Sequence, residues 1–272
     1  MLYAYGMKIG AKLMARGKLG PALRLLVRPV NYWRNIEYRL ICDAANFTAE
    51  DRVLDIGSPK LLSFYLAKVV GADVVATDID DYFIDNERLI GEIEGIPSQK
   101  LRTAVEDGRR LSFPDDSFDK VYSLSVLEHI PEGGDTDCIK EIGRVLTPGG
   151  RCYLTVPFWP ESRVDYIKDK GVYWTEHSVD AGDGRVFYQR RYSEQDLYDR
   201  LISPSGMKLR QLSYVGERVM KGSQRELSDF LPAITGPVQP LLSWLLHTPP
   251  TDSWKTLDKP LCALVVLEKQ NS

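Results

Sequence analysis

The sequence has 272 residues, long enough for one large α/β domain with appendages or for two small domains, and its composition of 43% hydrophobic and 27% charged residues is ordinary for a soluble globular protein. Its four cysteines are scattered without a CxxC pair, which argues against a disulfide framework or a zinc site and favours a reducing cytoplasm. No apolar run approaches the roughly 18 residues that span a bilayer, so we expect any membrane contact to be peripheral. The N-terminal residues do not resemble a secretory signal peptide, because Lys or Arg interrupts their apolar residues every few positions.

Residues 1–36 form a basic arm that carries seven Lys or Arg residues and no acid, a net charge of +7 against −10 for the remainder of the chain. Apolar residues are interleaved with these cations, as in helices that lie on anionic membrane surfaces. Pro21 and Pro29 predict breaks between short helices, and residues 31–45 predict one more helix. Two compatible interpretations remain: a helical lid packed on the domain, and a contact with an anionic membrane surface.

The segment from residue 46 to residue 160 alternates buried-type strands with amphipathic helices. Strands are predicted near 52–56, 73–77, 101–105, 119–124 and 150–156, and helices at about 60–70, 82–93 and 136–146. This alternation predicts a mostly parallel sheet with helices on both faces, the Rossmann-like arrangement. We therefore divide the chain into an arm (1–45), a nucleoside-binding core (46–160) and a C-terminal part (161–272) of the same domain.

The C-terminal part begins with an aromatic and glycine-rich excursion over residues 157–190. Ser193 is predicted to cap a helix that runs to about Ile202, because Asp196 stands three residues later. Two further strands are predicted at 208–217 and 261–268, and the second, late and isolated, suits an antiparallel last strand. The 43 residues between them (218–260) form an insertion where a hairpin turn would suffice, and long insertions are usually functional.

Four short signals in residues 51–150 carry most of the functional information. Each is weak alone, but their order and spacing are specific; they lie at 53–58, 74–78, 113–119 and 146–150. As a set they resemble the class I S-adenosylmethionine (SAM) dependent methyltransferases, and most closely the small-molecule enzymes related to those of ubiquinone biosynthesis. The resemblance covers roughly residues 45–160 and implies a seven-stranded fold, SAM as cofactor and a small-molecule acceptor. The basic arm and the apolar residues 241–246 of the insertion make a lipid or lipid-linked intermediate one candidate acceptor. Nucleic acid is a poor candidate substrate, because the core is acidic and the base-methylating Asn-Pro-Pro-Tyr motif is absent.

The resemblance implies a set of cofactor-binding residues at the carboxyl ends of the first four strands. They are Asp55, Gly57, Ser58, Asp78, Ile79, Asp107, Gly108 and Ser123. In this family the three acids, in chain order, meet the methionine amino group, the ribose hydroxyls and the adenine amino group.

Two of these acids have simpler explanations, and the glycine loop departs from the family pattern. Asp78 could cap the next helix, and Asp107 could stand in a plain turn. Pro59 and Leu61 occupy positions where the family has glycines, and Pro59 makes the loop stiffer and removes a backbone donor. The absence of G-x-G-x-x-G disfavours a nicotinamide cofactor.

Methyl transfer to an oxygen acceptor calls for a general base near neutral pH, which points to histidine. His129, beside the predicted sulfonium position, and His177, in the aromatic excursion, are the catalytic candidates; His129 could instead only orient its loop. Trp174, Arg190 and Arg191 are the substrate-binding candidates, although the two arginines could equally be a solvated pair. His247, in the insertion, is predicted to be structural, and no residue cluster has metal-ligand spacing. The competing function is a non-catalytic protein of the same fold that acts as a binding module or at a membrane surface.

Overall fold

The computed structural model describes residues 1–57, 61–168, 179, 182, 184–218 and 236–271. Among them, seven strands form one sheet in the order β3-β2-β1-β4-β5-β9-β8, and β6 and β7 form a separate hairpin. The strands are β1 (Arg52–Ile56), β2 (Asp73–Asp78), β3 (Leu101–Val105), β4 (Phe118–Leu124), β5 (Leu146–Pro157), β6 (Arg163–Ile167), β7 (Val186–Arg191), β8 (Lys208–Gly216) and β9 (Pro260–Glu268).

Strands β1 to β5 are mutually parallel, whereas β9 is antiparallel to both of its neighbours, β5 and β8. This confirms the predicted Rossmann-like, mostly parallel seven-stranded sheet and the antiparallel entry of the last strand. It also follows that β8 runs in the same direction as β1 to β5. The carboxyl ends of all six strands therefore meet at one edge of the sheet, which we call the carboxyl edge.

The helices lie close to the predicted positions. They are α1 (Leu2–Ala15), α2 (Leu19–Val27), α3 (Tyr32–Ala45), α4 (Leu61–Tyr65), α5 (Asp81–Glu94), α6 (Gly134–Val145), α7 (Glu194–Asp196) and α8 (Gln239–Leu246). Single π-helical turns extend α4 over Leu66–Val70 and α7 over Leu197–Ile202. The predicted Ser193 cap is confirmed as a capping box, since the side chains of Ser193 and Asp196 each accept from the other's backbone N–H.

Two predicted boundaries were wrong. Pro21 does not break the arm, because it falls in the first turn of α2, where a backbone N–H has no intrahelical partner. Helix α6 ends at Val145 with Leu146 as its C-cap, as predicted to within one residue, but β5 begins at Leu146 instead of near residue 150. The pairing of β4 with β5 shifts between Phe118 and Lys120, so residues 147–150 are absorbed as an irregularity within the strand.

The sheet is covered on both faces, and the arm contributes to one of the two cores. Helices α1, α3 and α4 pack on one face, where α1 buries Tyr5, Ile9 and Leu13 at helical spacing. Helix α6 and the α7 segment cover the other face. Helices α1 and α3 of the arm are therefore packed parts of the structure.

Candidate active site

The turn after β1 brings the first and fourth strands' loops into contact. Gly57 has φ +80°, and its N–H donates to the Thr77 carbonyl at 2.9 Å. A Cβ at this position would lie 2.3 Å from Cγ1 of Val126, which follows β4. Both the backbone conformation and the contact thus require glycine here. Ser58, the next predicted cofactor residue, and Pro59 lie outside the described residues.

We expect Gly57→Ala to lower the free energy of unfolding by about 2 kcal/mol, because it combines a left-handed φ with a steric conflict. Gly17→Ala is the matched control, since Gly17 has φ +71° but no atom within 4 Å of a Cβ. Urea unfolding should show that Gly57→Ala costs clearly more than Gly17→Ala. Equal costs would mean that the Val126 contact adjusts freely.

Asp55 lies at the carboxyl end of β1 and is fully buried. Its carboxylate accepts from the Ser63 hydroxyl and, at 2.9 Å, from the Tyr122 hydroxyl. Burial, followed by the charge of Asp55, raises the pKa of Tyr122 well above its usual value. Asp55 therefore fixes α4 and β4 to the end of β1.

Asp78 ends β2 and is 8% exposed. One carboxylate oxygen accepts from the Asp80 backbone N–H at 2.9 Å, a local turn that precedes α5. This bond ties the carboxylate to the turn between β2 and α5. The following residue, Ile79, is 39% exposed beside it.

Asp107 and Gly108 follow β3, whose residue Val105 pairs with Asp78. The Asp107 carboxylate accepts from the backbone N–H of Arg109 and forms an ion pair with its guanidinium at 2.7 Å. A Cβ on Gly108 would lie 3.0 Å from the Cys138 sulfur. The turn is thus packed against α6, with the partly exposed carboxylate already paired.

The loop after β4 holds the remaining described candidates. Ser123 is buried, and its hydroxyl donates to the Ile56 carbonyl at 3.0 Å. His129 places Nδ1 2.6 Å from the Tyr188 carbonyl oxygen on β7, and the two rings meet edge to face at 5.1 Å. Its Nε2 lies 3.8 Å from Oε1 of the buried Glu128. His129 therefore joins the β4 loop to the β6–β7 hairpin.

The two arginines of β7 do not share a target. Arg190 approaches the buried Asp135 at 3.5 Å, whereas Arg191 pairs with Asp165 at 2.7 Å. Consecutive residues of a strand point to opposite faces, which explains the separation. The other predicted residues of the excursion, Trp174 and His177, lie outside the described residues.

Sequence reasoning missed an ion pair that α3 brings to the ends of β4 and β5. Arg34 donates to Glu37 at 2.6 Å and to the Leu124 carbonyl at 2.7 Å. Glu37 is fully buried and also accepts from the hydroxyls of Ser125 and, at 2.8 Å, Thr155. We call these four side chains (Arg34, Glu37, Ser125 and Thr155) the α3 latch. The i,i+3 spacing of an Arg and a Glu was the only available signal, and it does not distinguish a buried pair from a surface pair.

His247, predicted to be structural, packs against the start of α3. Its ring stacks on Tyr32 at 4.4 Å, and Nδ1 lies 2.9 Å from the Ser243 carbonyl oxygen. The Tyr32 hydroxyl donates to Glu217, which follows β8, at 2.8 Å. Helix α8 is thereby fastened to α3 at the carboxyl edge.

Burial lowers the pKa of His247 to about 4. In the folded protein His247 therefore stays neutral until the pH approaches 4, whereas in the unfolded chain it binds a proton below about pH 6.5. The neutral, buried His247 thus contributes fully to the free energy of unfolding above about pH 6.5, and this contribution is lost as the pH falls towards 4. We expect stability to fall by about 2 kcal/mol between pH 7 and pH 5 from this residue alone. Urea unfolding of the parent and His247→Phe at both pH values measures the difference, and an unchanged pH dependence in the variant would contradict it.

Comparisons with known proteins match this chain to methyltransferases. Residues 54–154 match the profile of a methyltransferase domain family. Sterol 24-C-methyltransferase of Aspergillus fumigatus is 40% identical over 86 residues, which are 31% of this chain and 22% of that protein. Demethylmenaquinone methyltransferase of a Parafrankia species is 29% identical over 152 residues, 50% of this chain and 58% of that protein. The chain thus spans about 22% of the length of the sterol methyltransferases that it matches.

Solved structures share the fold at low sequence identity. A SAM-dependent methyltransferase of Methanosarcina mazei superposes with a TM-score of 0.54 at 21% identity, covering 85% of this chain and 97% of that one. The [4+2]-cyclase SpnF superposes with a TM-score of 0.56 at 16% identity, covering 88% and 82%. The fold alone is thus compatible with more than one chemistry. Residues 54–154 of this chain thus match a methyltransferase domain, and they lie within a seven-stranded sheet of the same fold as these solved structures.

Proposed function

We propose that this protein transfers a methyl group from SAM to a small-molecule acceptor of lipid character. The observation that carries the proposal is the grouping of Gly57, Asp78 and Asp107 after the adjacent strands β1, β2 and β3 of a matched methyltransferase domain. Ligands of open α/β sheets bind outside the carboxyl ends of the strands, which is where these residues lie.

The residues at the carboxyl edge are chemically suited to SAM. Asp78, at the carboxyl end of β2, would take the ribose hydroxyls, and the exposed Ile79 would lie against the base. Asp107 and Gly108 would meet the adenine, Asp55 and Gly57 would shape the methionine end together with Ser58, and Ser123 would hold the end of β4. When bound, SAM supplies an electrophilic methyl group, so the protein has to align the acceptor, exclude water and remove a proton where the acceptor carries one.

His129 is the described residue best suited to remove that proton. The Tyr188 carbonyl can only accept, so Nδ1 carries the hydrogen and Nε2 is the basic nitrogen of the neutral ring. The carboxylate of Glu128, 3.8 Å from Nε2, favours the protonated form that follows. We retain His177 and Trp174 as acceptor-side candidates, and Arg190 and Arg191 as separate anion contacts.

The lipid character of the acceptor is supported by the names of the sterol 24-C-methyltransferases that this chain resembles over a third of its length. The positive charge of the basic arm, residues 1–36, supports contact between the protein and its acceptor at an anionic membrane surface. No helix among the described residues is long and apolar enough to cross a membrane. We therefore propose peripheral contact of a cytoplasmic protein.

Titration calorimetry with SAM and S-adenosylhomocysteine tests the cofactor site. We expect micromolar binding that Asp78→Ala weakens at least tenfold, about 1.4 kcal/mol. Asp73→Ala is the matched control, because Asp73 is exposed at the opposite end of the same strand. The absence of binding of either ligand to the parent would contradict the proposal.

Turnover is tested separately with SAM carrying a labelled methyl group and a panel that begins with membrane lipids. Transfer to a lipid supports the proposed acceptor class. Tight SAM binding without transfer to any acceptor of the panel would favour the non-catalytic alternative.

A further inference from the structure

Helix α8 presents an apolar face to solvent. Within it, Gln239 and Ser243 are buried one helical turn apart, so the opposite face points outwards. On that face Leu241, Trp244 and Leu245 are 57%, 64% and 46% exposed. The helix contains no charged residue. A tryptophan and two leucines exposed together are unusual on a soluble surface and mark an interaction site.

The arm presents a second apolar patch, and this one is surrounded by cations. Leu19 and Leu23 of α2 are 63% and 59% exposed, one helical turn apart. The exposed cations Arg16, Lys18 and Arg24 lie beside them in the chain. This combination complements a surface with an apolar interior and an anionic exterior.

The tertiary structure joins the two helices that carry these patches. The chain before α8 touches the end of α2, since a Cβ on Gly236 would lie 2.3 Å from the Val27 carbonyl oxygen. The Tyr3 hydroxyl is within hydrogen-bond distance of the Val27 and Gly236 carbonyls, at 3.4 Å and 3.2 Å. At its other end α8 meets the carboxyl edge. There the backbone N–H of Arg218, which follows β8, donates to the Leu246 carbonyl at 2.7 Å.

We propose that Leu19, Leu23, Leu241, Trp244 and Leu245 form a docking surface for an anionic lipid bilayer. The cations of the arm attract the anionic headgroups, and the apolar side chains of α8 and α2 enter the interface, where tryptophan is favoured. Because α8 ends at the carboxyl edge, docking in this way would bring that edge, and with it the candidate active site, close to the membrane. The inference extends the membrane contact of the proposed function, but docking itself requires neither SAM nor turnover.

Co-sedimentation of the full chain with vesicles tests the proposal. We expect binding to phosphatidylcholine vesicles that contain phosphatidylglycerol, weaker binding to pure phosphatidylcholine, and a loss of binding as salt is raised. Trp244→Glu should weaken binding at least tenfold, whereas Trp244→Phe should retain most of it. Val69→Glu is the matched control, because Val69 is 53% exposed but lies before β2, at the opposite edge of the sheet.

Several outcomes would overturn the proposal. They are no binding to anionic vesicles at low salt, equal binding by Trp244→Glu and the parent, or equal losses in Trp244→Glu and Val69→Glu. Sedimentation velocity adds a further one: a dimer that Trp244→Glu dissociates would show that a second copy of this chain covers the surface. Circular dichroism and SAM titration of the same variants separate a folding defect and a failed cofactor site from a failed docking surface.

Discussion

Glu37→Ala is expected to lower the free energy of unfolding by about 3 kcal/mol or more, the largest stability effect that we anticipate in this protein. The variant leaves the Arg34 guanidinium without its carboxylate and the hydroxyls of Ser125 and Thr155 without their acceptor. Removing one partner of a buried ion pair costs about 3–5 kcal/mol, mainly because the remaining charge is left uncompensated. Urea unfolding followed by circular dichroism measures the difference.

The same helix supplies the control. Asp43 is an exposed acid of α3, and Asp43→Ala should change stability by less than about 0.5 kcal/mol. Removing both charges in Arg34→Met/Glu37→Met should cost less than the sum of the single changes, since neither charge is then left alone. Additive costs would show that the two residues act independently and that the α3 latch does not operate as a unit.

His129→Asn is expected to lower kcat by about two to four orders of magnitude while leaving SAM affinity within about twofold of the parent. This is the range over which a positioned general base accelerates proton transfer. The prediction rests on the 2.6 Å contact of Nδ1 with the Tyr188 carbonyl, which leaves Nε2 as the basic nitrogen. The measurement is labelled-methyl transfer to the acceptor that the lipid panel identifies, together with SAM titration.

The pH profile separates a base from a residue that only orients its loop. A base produces an acidic limb in kcat that His129→Asn abolishes, whereas an orienting residue leaves the limb in place. Tyr188→Phe is the control, since it keeps the backbone carbonyl that holds Nδ1 and nearly all of the ring contact. Weakened SAM binding in His129→Asn, with the limb unchanged, would assign His129 to loop positioning.

The secondary structure was predictable where local patterns agree with the final environment. Strands β1 and β2 are short and buried after their first residue, and the Ser193–Asp196 spacing alone indicates a helix start. The errors arose where tertiary context overrides a local rule. Pro21 is tolerated because it falls in a first turn, and β5 starts early because β4 offers a pairing partner at Leu146.

The candidate site was predictable in part. The position of Asp78 and Asp107 at one edge of the sheet could be predicted, because Asp78 ends β2, Asp107 lies two residues after β3, and parallel strands bring their carboxyl ends to one edge. The α3 latch could not be found, because Glu37 is 88 residues from Ser125 and 118 from Thr155. Likewise, the sequence could not show that Arg190 approaches Asp135 whereas Arg191 pairs with Asp165. These pairs depend on where the fold places the two acids around β7.

The sequence by itself determined the fold class, the strand-end acids of the candidate cofactor site and the charge of the arm, because each depends on neighbours close in the chain. Only the tertiary structure decided which charges are buried and which apolar residues remain exposed. Glu37 is buried although it is charged, and Trp244 is 64% exposed although it is aromatic. Both result from contacts between segments distant in sequence, since burial depends on what packs against a residue rather than on its own chemistry.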